Sequence, residues 1–369
     1  MRRPVAQGAP VVVKVGSSSL STTGGGIDAE AVGRIVDEVA GLAHRGNAPV
    51  LVTSAAIAAG FPALGMTERP TDIADLQVAA AVGQTHLMER YAGAFASHDM
   101  RIGQVLLTKD VLGNRTQYLN ARAALSRMLS LGVVPIVNEN DTVAVDELKF
   151  GDNDQLAAMA SHLVGADMLV ILTDTPGLYS DDPRFSEDAQ LLKAVKHSDS
   201  VLDRIRSDSG GGALGSGGVA TKVAAARMAA FSGIPTVIAR SHDDNVVERA
   251  VSGEDVGTWV DPRPVALPAR KLWIAFGLPA IGRIAIDDGA VRALSRDGRS
   301  LLGAGVASID GPFERGDAVE VVDSSGELVA KGIVRVGSDV LADAAGKHSS
   351  QVGGEVMHRD DMVVLRSGA

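Results

Sequence analysis

The chain has 369 residues, enough for two domains, and its 46% hydrophobic and 22% charged content is typical of a soluble globular protein. A formal net charge of −10 argues against a general affinity for nucleic acid, because phosphate backbones are bound by clustered lysine and arginine. The absence of cysteine excludes disulfides and thiolate chemistry, and no apolar run approaches the roughly 18 residues of a membrane-spanning helix, so we expect a cytoplasmic protein.

The first 260 residues alternate short apolar runs with helical patterns, which is typical of a parallel sheet with helices on both faces. The runs are continuously apolar because such strands are buried on both sides. Six strands are predicted, at residues 11–15, 50–53, 102–107, 133–137, 168–172 and 236–239. Three helices are predicted between them: one from a cap at Asp28 to Gly46, one beginning near Asn153, and one from just after Gly218 to Gly233.

The pattern of apolar and polar residues changes after a segment with prolines at positions 262, 264 and 268. Short alternating segments punctuated by glycine follow, and they predict strands at residues 283–286, 305–309, 318–322 and 328–334. We therefore expect a first domain at residues 1–263, a linker at 264–278, and a small, mostly-β second domain at 279–369.

The first candidate functional segment is VVVKVGSSSL, residues 11–20. Lysine is scarce in this chain, and here Lys14 ends a strand that runs into Gly16 and three serines. Backbone N–H groups and hydroxyls around one positive charge suit a phosphate. The alternative is a strand that ends in a polar turn beside a lysine without a binding role.

The second segment is GGGALGSGGVATK, residues 210–222, which leads into the third predicted helix. Such a loop lets backbone amides approach anionic oxygens at the positive end of the helix dipole. It is not a P-loop, because Thr221 rather than glycine precedes Lys222. A loop without function is the alternative.

The third feature is a polar cluster in two pieces, NEND at residues 138–141 after a strand and GDND at 151–154 opening a helix. Ligands bind at the carboxyl ends of strands in open α/β sheets, and these carboxylates and amides could hold an ammonium group or position the lysines. Helix capping by Asn153 or Asp152 explains part of the cluster without any function.

Two further segments are VTSAAIAAG at residues 52–60 and LTDTPGLYSDDPR at 172–184. In the first of them, a predicted strand is followed by a serine and then by a predicted helix. The second is also explained by a turn at Pro176 and Gly177. Histidine and carboxylate spacing suggests no transition-metal site.

Together and in this order, the five segments resemble those of the amino-acid kinase family, in its glutamate 5-kinase branch, over nearly the whole chain. The most specific pieces are residues 138–154, 172–184 and 214–222. The C-terminal part resembles a PUA domain, through residues 282–294, 300–321 and 358–363. The resemblance implies an α/β fold, a three-layer αβα sandwich around a mainly parallel sheet, followed by a small, mostly-β PUA domain.

The activity that the resemblance implies is ATP-dependent phosphorylation of the side-chain carboxylate of L-glutamate to L-glutamyl 5-phosphate, the first step of proline biosynthesis. Lys14 and Lys222 would stabilise the transferring phosphoryl group, and Asp154 would hold both lysines. The residues implied to bind glutamate are Ser54, Asn138, Asp141 and Asn153. Those implied to line the ATP site are Lys14, Thr173, Asp174, Ser216, Gly217, Gly218, Val219, Ala220, Thr221 and Lys222. Mg²⁺ would bridge ATP oxygens and keep its waters.

One position departs from the family pattern, because Ser54 is followed by Ala55 where the family has glycine. Glycine in a strand-to-helix turn adopts positive φ readily and lets a backbone amide approach a bound anion. We predict that residue 55 has positive φ and that alanine limits activity on glutamate. The alternative is negative φ with the Cβ directed away from substrate, which would make alanine harmless.

The family also suggests a homo-oligomer, a dimer or a tetramer, and feedback inhibition by L-proline. Two other functions stay open at this point. The acceptor could be a different carboxylate or carbamate, or the PUA domain could bind RNA, although the slightly acidic balance of residues 264–369 argues against RNA.

Overall fold

A computed structural model describes residues 2–22, 24–143, 153–199, 201–202, 205, 217–344 and 355–366. The chain divides into two compact units, Met1–Ala266 and Leu267–Ala369. The boundary lies within the proline-marked segment, and residues 269–277 of the expected linker form helical turns of the second unit. None of the helices in the described part of the chain is long and apolar enough to cross a bilayer.

Eight strands form the sheet in the described residues of the first unit. They are β1 (Pro10–Val15), β2 (Ala48–Val52), β3 (Arg101–Leu107), β4 (Val133–Glu139), β5 (Met168–Thr173), β6 (Ala194–Lys196), β7 (Thr236–Arg240) and β8 (Thr258–Asp261). Their order in the sheet is β3-β4-β2-β1-β5-β7-β8-β6. All neighbours are parallel except β7 and β8, so the mainly parallel sheet predicted from the sequence is confirmed.

The six predicted strands are all present, and the central ones are buried as their composition requires. Val11, Val12, Val13 and Val15 of β1 are completely buried, because β1 lies between β2 and β5 and carries helices on both faces. Two described strands of the first unit were missed by sequence reasoning, β6 and β8. They have three and four residues and include charged side chains, so they lack the continuous apolar run used to find the others.

The principal helices in the described part of the first unit form two layers. They are α1 (Ala29–His44), α2 (Ala56–Gly60), α3 (Ile73–Ala96), α4 (Arg115–Ser130), α5 (Asp154–Val164), α6 (Gly217–Phe231) and α7 (Val246–Val251). On one face α1 packs against α3 and α7, and α2 packs against α3. On the other face α5 packs against α4 and α6. This is the predicted three-layer arrangement.

Local sequence signals set the bounds of α1. The Asp28 side chain accepts hydrogen bonds from the backbone N–H groups of Glu30 and Ala31, as a helix cap does. The apolar face at i, i+3, i+4 and i+7 is buried, and Gly46 follows the last turn with φ of 87°. The predicted start and stop of this helix are confirmed.

The second unit contains a five-stranded sheet and a two-stranded one. Its strands are β9 (Gly282–Ile286), β10 (Leu301–Leu302), β11 (Val306–Asp310), β12 (Ala318–Val322), β13 (Leu328–Ile333), β14 (Glu355–Met357) and β15 (Met362–Val364). Its helices are α8 (Ala269–Leu272), a π-helical turn (Trp273–Gly277), α9 (Asp288–Ser295) and α10 (Ser338–Ala344). The larger sheet has the order β11-β9-β12-β13-β15, and β10 pairs with β14. The four strands predicted here are present as β9, β11, β12 and β13.

Candidate active site

The carboxyl ends of five parallel strands lie side by side, in the order β4, β2, β1, β5, β7. The chain runs from β1 to β2 on one side and later places β5 on the other side, so the strand order reverses at β1. Ligands of open α/β sheets bind in the crevice at such a reversal. Lys14 lies at this point, one residue before the end of β1.

Two lysines share one carboxylate at this edge. Lys14 Nζ lies 2.6 Å from Asp154 Oδ1, and Lys222 Nζ lies 3.3 Å from Asp154 Oδ2. The side chains of Lys14, Asp154 and Lys222 are 1%, 0% and 13% exposed. Thr221 Oγ1 also donates to Asp154 Oδ2, at 2.9 Å. Two ammonium groups beside one carboxylate at a buried place are an arrangement that suits the binding of an anion.

Glycines stand next to both ammonium groups. A Cβ added to Gly16 would lie 3.6 Å from Lys14 Nζ, and one added to Gly218 would lie 3.7 Å from Lys222 Nζ. Gly218 is in the first turn of α6, where backbone N–H groups face outward at the positive end of the helix. A side chain at either position would contact the ammonium group, so the two glycines add no such side chain beside the lysines.

The residues predicted for the nucleotide fall into two groups. Gly217, Gly218, Val219, Ala220, Thr221 and Lys222 form the first turns of α6, while Ser216 lies outside the described residues. Thr173 and Asp174 lie at the end of β5, where Thr173 Oγ1 donates to Asp174 Oδ1 at 3.0 Å. Ser241, after β7, donates its N–H to the Thr173 carbonyl at 2.8 Å, and its hydroxyl lies 3.1 Å from Ser19 Oγ of the Lys14 segment. The β1, β5 and β7 ends are therefore joined by direct bonds.

A row of side-chain amides lies on the other side of Lys14. Asn153 Nδ2 donates to the Thr53 carbonyl and to Asn138 Oδ1, both at 2.5 Å. Asn138 Nδ2 donates to Gln84 Oε1 of α3 at 2.7 Å. Asn138 and Asn153, both predicted for glutamate, are thus in contact, and Asn153 immediately precedes Asp154 in the chain. We name Asn153, Asn138 and Gln84 the amide row.

The capping alternative for the polar cluster is wrong for Asn153. Asn153 stands at the N-cap position of α5, but its side chain makes no capping hydrogen bond there, and its amide nitrogen donates to Thr53 and Asn138. Asp152, the other candidate cap, lies outside the described residues. Asp141 follows β4 in a turn and is half-buried, but it lies outside the amide row.

Ser54 and Ala55 form the turn from β2 into α2. Ser54 is buried, and its hydroxyl has no hydrogen-bond partner among the described residues. Ala55 has φ of 79°, so the predicted positive φ is confirmed and the alternative of negative φ is excluded. The strand end before the turn is anchored, because Thr53 Oγ1 hydrogen-bonds Tyr91 OH at 2.8 Å. Burial raises the pKa of that tyrosine, which therefore stays neutral.

Carboxylates do not form a cage for a divalent metal in the described part of the chain. No group of three or more histidine, aspartate or glutamate side chains there could hold one. Asp154 is already occupied by two lysines and a hydroxyl. The described residues therefore show no protein-held site for a divalent metal.

Comparison with known proteins agrees with this fold. The model of the amino acid kinase family matches residues 9–240, and that of the PUA domain matches residues 282–356. The chain belongs to the amino acid kinase family. It is 46% identical to the glutamate 5-kinase of Marinomonas sp. (strain MWYL1), over 99% of this chain and 100% of that one. It is also 46% identical to the glutamate 5-kinase of Chromohalobacter salexigens, over 96% of each chain.

Among solved structures, the UMP kinase from Bacillus anthracis resembles this amino acid kinase with a TM-score of 0.50 and 14% identity. The similarity covers 69% of this chain and 97% of the other, and it concerns the fold alone. The sequence-based prediction of the family, of its glutamate 5-kinase branch and of the PUA domain is confirmed.

Proposed function

We propose that this protein transfers the terminal phosphoryl group of MgATP to the side-chain carboxylate of L-glutamate, which yields L-glutamyl 5-phosphate and ADP. The observation that carries the proposal is the pair of lysines, Lys14 and Lys222, held on Asp154 where the strand order reverses. Relatives that are 44% to 46% identical over at least 96% of this chain are named glutamate 5-kinases.

The chemistry needs positioned charge more than a general base. The acceptor carboxylate has an ordinary pKa of about 4.3, so it is already ionised at neutral pH and attacks phosphorus without losing a proton. The bond from phosphorus to the ADP oxygen breaks as the new bond forms in line, and the transferring oxygens carry the negative charge. In this proposal Lys14 and Lys222 neutralise that charge, and Asp154 positions both ammonium groups.

The remaining assignments divide the site into two halves. Ser54, Asn138, Asp141 and Asn153 would bind glutamate on the β2 and β4 side. Thr173, Asp174 and the residues from Ser216 to Lys222 would bind ATP on the β5 and α6 side. The support for this division is the sheet order, since the two groups of strand ends lie on opposite sides of β1.

Three further parts of the proposal rest on the family alone. They are assembly as a dimer or tetramer, feedback inhibition by L-proline, and a place in the cytoplasm at the first step of proline synthesis.

The test is a steady-state assay of the full chain with MgATP and L-glutamate. ADP release is followed by enzymatic coupling, and the acyl phosphate is trapped with hydroxylamine as the hydroxamate. We expect glutamate-dependent ADP release with an equal amount of hydroxamate, and much less with L-aspartate, N-acetyl-L-glutamate or carbamate. A higher kcat/KM for one of those acceptors, or ADP release that does not depend on glutamate, would overturn the proposal.

A further inference from the structure

The direction of every amide in the amide row is fixed by backbone groups. The Thr53 carbonyl can only accept a hydrogen bond, so the Asn153 atom beside it is the nitrogen, which also donates to Asn138. The Glu139 N–H can only donate, and it reaches Asn138 Oδ1 at 2.9 Å. Both constraints turn the Asn138 nitrogen toward Gln84, which accepts with its oxygen. The Gln84 nitrogen must therefore point away from the row.

This nitrogen is a buried donor without a hydrogen-bond partner in the described part of the chain. Gln84 is 9% exposed, and its Nε2 atom makes no hydrogen bond to any described residue. Native proteins satisfy nearly all buried N–H groups, so an unsatisfied one calls for an explanation such as a ligand that has yet to bind. Flipping the amide would not help, because the nitrogen would then face the donor Nδ2 of Asn138.

Helix packing brings Gln84 to the site. Its chain neighbour Gly83 packs against Ala56 at the start of α2, so closely that an added Cβ would lie 1.8 Å from the Ala56 carbonyl oxygen. Gly60 at the other end of α2 packs against the Ala79 carbonyl in the same way. The two helices meet backbone to backbone, which holds Gln84 near the turn that contains Ser54.

We propose that Gln84 Nε2 binds the α-carboxylate of the amino-acid substrate and thereby contributes to the choice of substrate. This inference rests on the proposed function. The carboxylate that accepts the phosphoryl group must lie at Lys14 and Lys222. The amide row leads away from there, from Asn153 beside Asp154 to Gln84 at the far end. An ammonium group cannot satisfy an N–H donor, so the substrate group at that end is the second carboxylate.

The experiment compares L-glutamate with its α-amide, L-isoglutamine, which keeps the reactive side-chain carboxylate and loses the α-carboxylate charge. The measured quantity is the discrimination ratio, kcat/KM for glutamate divided by kcat/KM for the α-amide, in the full chain. Gln84→Glu keeps the oxygen that accepts from Asn138 and replaces the donor with a second, charged acceptor. Gln84→Met removes both polar atoms at nearly constant volume and serves if the first variant does not fold.

We expect Gln84→Glu to raise the KM for glutamate by about 10- to 100-fold, the usual scale for a hydrogen bond to a charged group, with the KM for ATP unchanged. The discrimination ratio should fall by tenfold or more in both variants, since the feature that recognises the carboxylate is gone. Gln117→Glu makes the same chemical change at an exposed position of α4 and should leave every constant at its original value.

An unchanged discrimination ratio in the folded variants would overturn the inference, whatever happens to the absolute rates. Gln84 would then only hold Asn138 in place. This result is distinct from failure of the proposed function, which would appear as the absence of glutamate-dependent ADP release in the unaltered protein.

Discussion

Asn153 donates its side-chain amide to the backbone carbonyl of Thr53, one hundred residues earlier in the chain, at 2.5 Å. This bond ties the first residue before α5 to the end of β2. It places Ser54, the next residue after Thr53, in the neighbourhood of Asp154, the next residue after Asn153. The contact therefore joins two segments that are distant in sequence, one assigned to glutamate through Ser54 and one assigned to the phosphoryl group through Asp154 in the proposed function.

Substitutions of Asn153 test the role of its hydrogen bond to Thr53. Asn153→Ala removes two buried hydrogen bonds and should lower the free energy of unfolding by about 1–3 kcal/mol. Asn153→Asp should lower it further at pH 7, although its shape is almost identical, because a carboxylate would face the Thr53 and Asn138 oxygens. The measurement is urea unfolding of both variants, with Asn114→Asp at an exposed helix cap as the control. Equal stability of the Ala and Asp variants would contradict the assigned donor direction.

Lys14 and Lys222 should contribute equally to turnover but differently to the stability of the fold. Lys14→Ala and Lys222→Ala should each lower kcat by about 10²–10³, the scale for loss of one preorganised charge-stabilising donor. Lys14→Ala should also lower stability more, because Lys14 is fully buried and lies closer to Asp154 than Lys222 does. Lys193→Ala, at an exposed position, is the matched control for both measurements. If either active-site variant keeps full turnover while folded, that lysine is not at the transferring group.

Asp141 is assigned to the ammonium group of glutamate. Asp141→Ala should raise the KM for glutamate by about tenfold or more and leave the KM for ATP unchanged, since a charged partner of the substrate alone is lost. Initial rates over a grid of both substrate concentrations separate the two constants. A raised KM for ATP with an unaltered KM for glutamate would place Asp141 in the nucleotide half instead.

The two compact units suggest a separable kinase. All residues assigned to chemistry lie before Ala266, and each unit has its own buried core. We expect residues 1–266 alone to fold and to phosphorylate glutamate with kcat within a few-fold of the full chain. Circular dichroism and a melting curve establish folding before the assay. A folded but inactive fragment would mean that the second unit completes the site.

The sequence predicted the parts of the site that are locally encoded and missed the parts that depend on tertiary contacts. Lys14 and the α6 loop were found because strand, glycine and lysine follow one another in the chain. The role of Asn153 was left open between cap and ligand, since its partner Thr53 lies so far away. Gln84 was not found at all. The available signal was one polar residue on the buried face of α3, among Leu76, Ala80, Gly83 and Leu87.

Ala55 is a position where the sequence analysis expects a departure from the family pattern, and the structure gives a direct reason to expect an effect there. Its φ of 79° is a conformation that costs an alanine about 1–2 kcal/mol more than a glycine. The substitution Ala55→Gly removes that strain and also the methyl group beside Ser54. We expect kcat/KM for glutamate to rise, by about tenfold if the alanine costs 1.4 kcal/mol more in the transition-state complex than in the free protein.

Stability should change little in the same variant, which separates the catalytic effect from a folding effect. Relief of backbone strain is offset by about 0.4–1 kcal/mol from the greater freedom of glycine in the unfolded chain. It is offset further by loss of a buried methyl group, which contributes about 0.8 kcal/mol at this core position. Steady-state kinetics and a melting curve of Ala55→Gly beside the unaltered protein give both quantities. Identical kinetic constants would mean that the methyl group points away from the substrate. They would also mean that the backbone strain at residue 55 is the same with and without bound substrate.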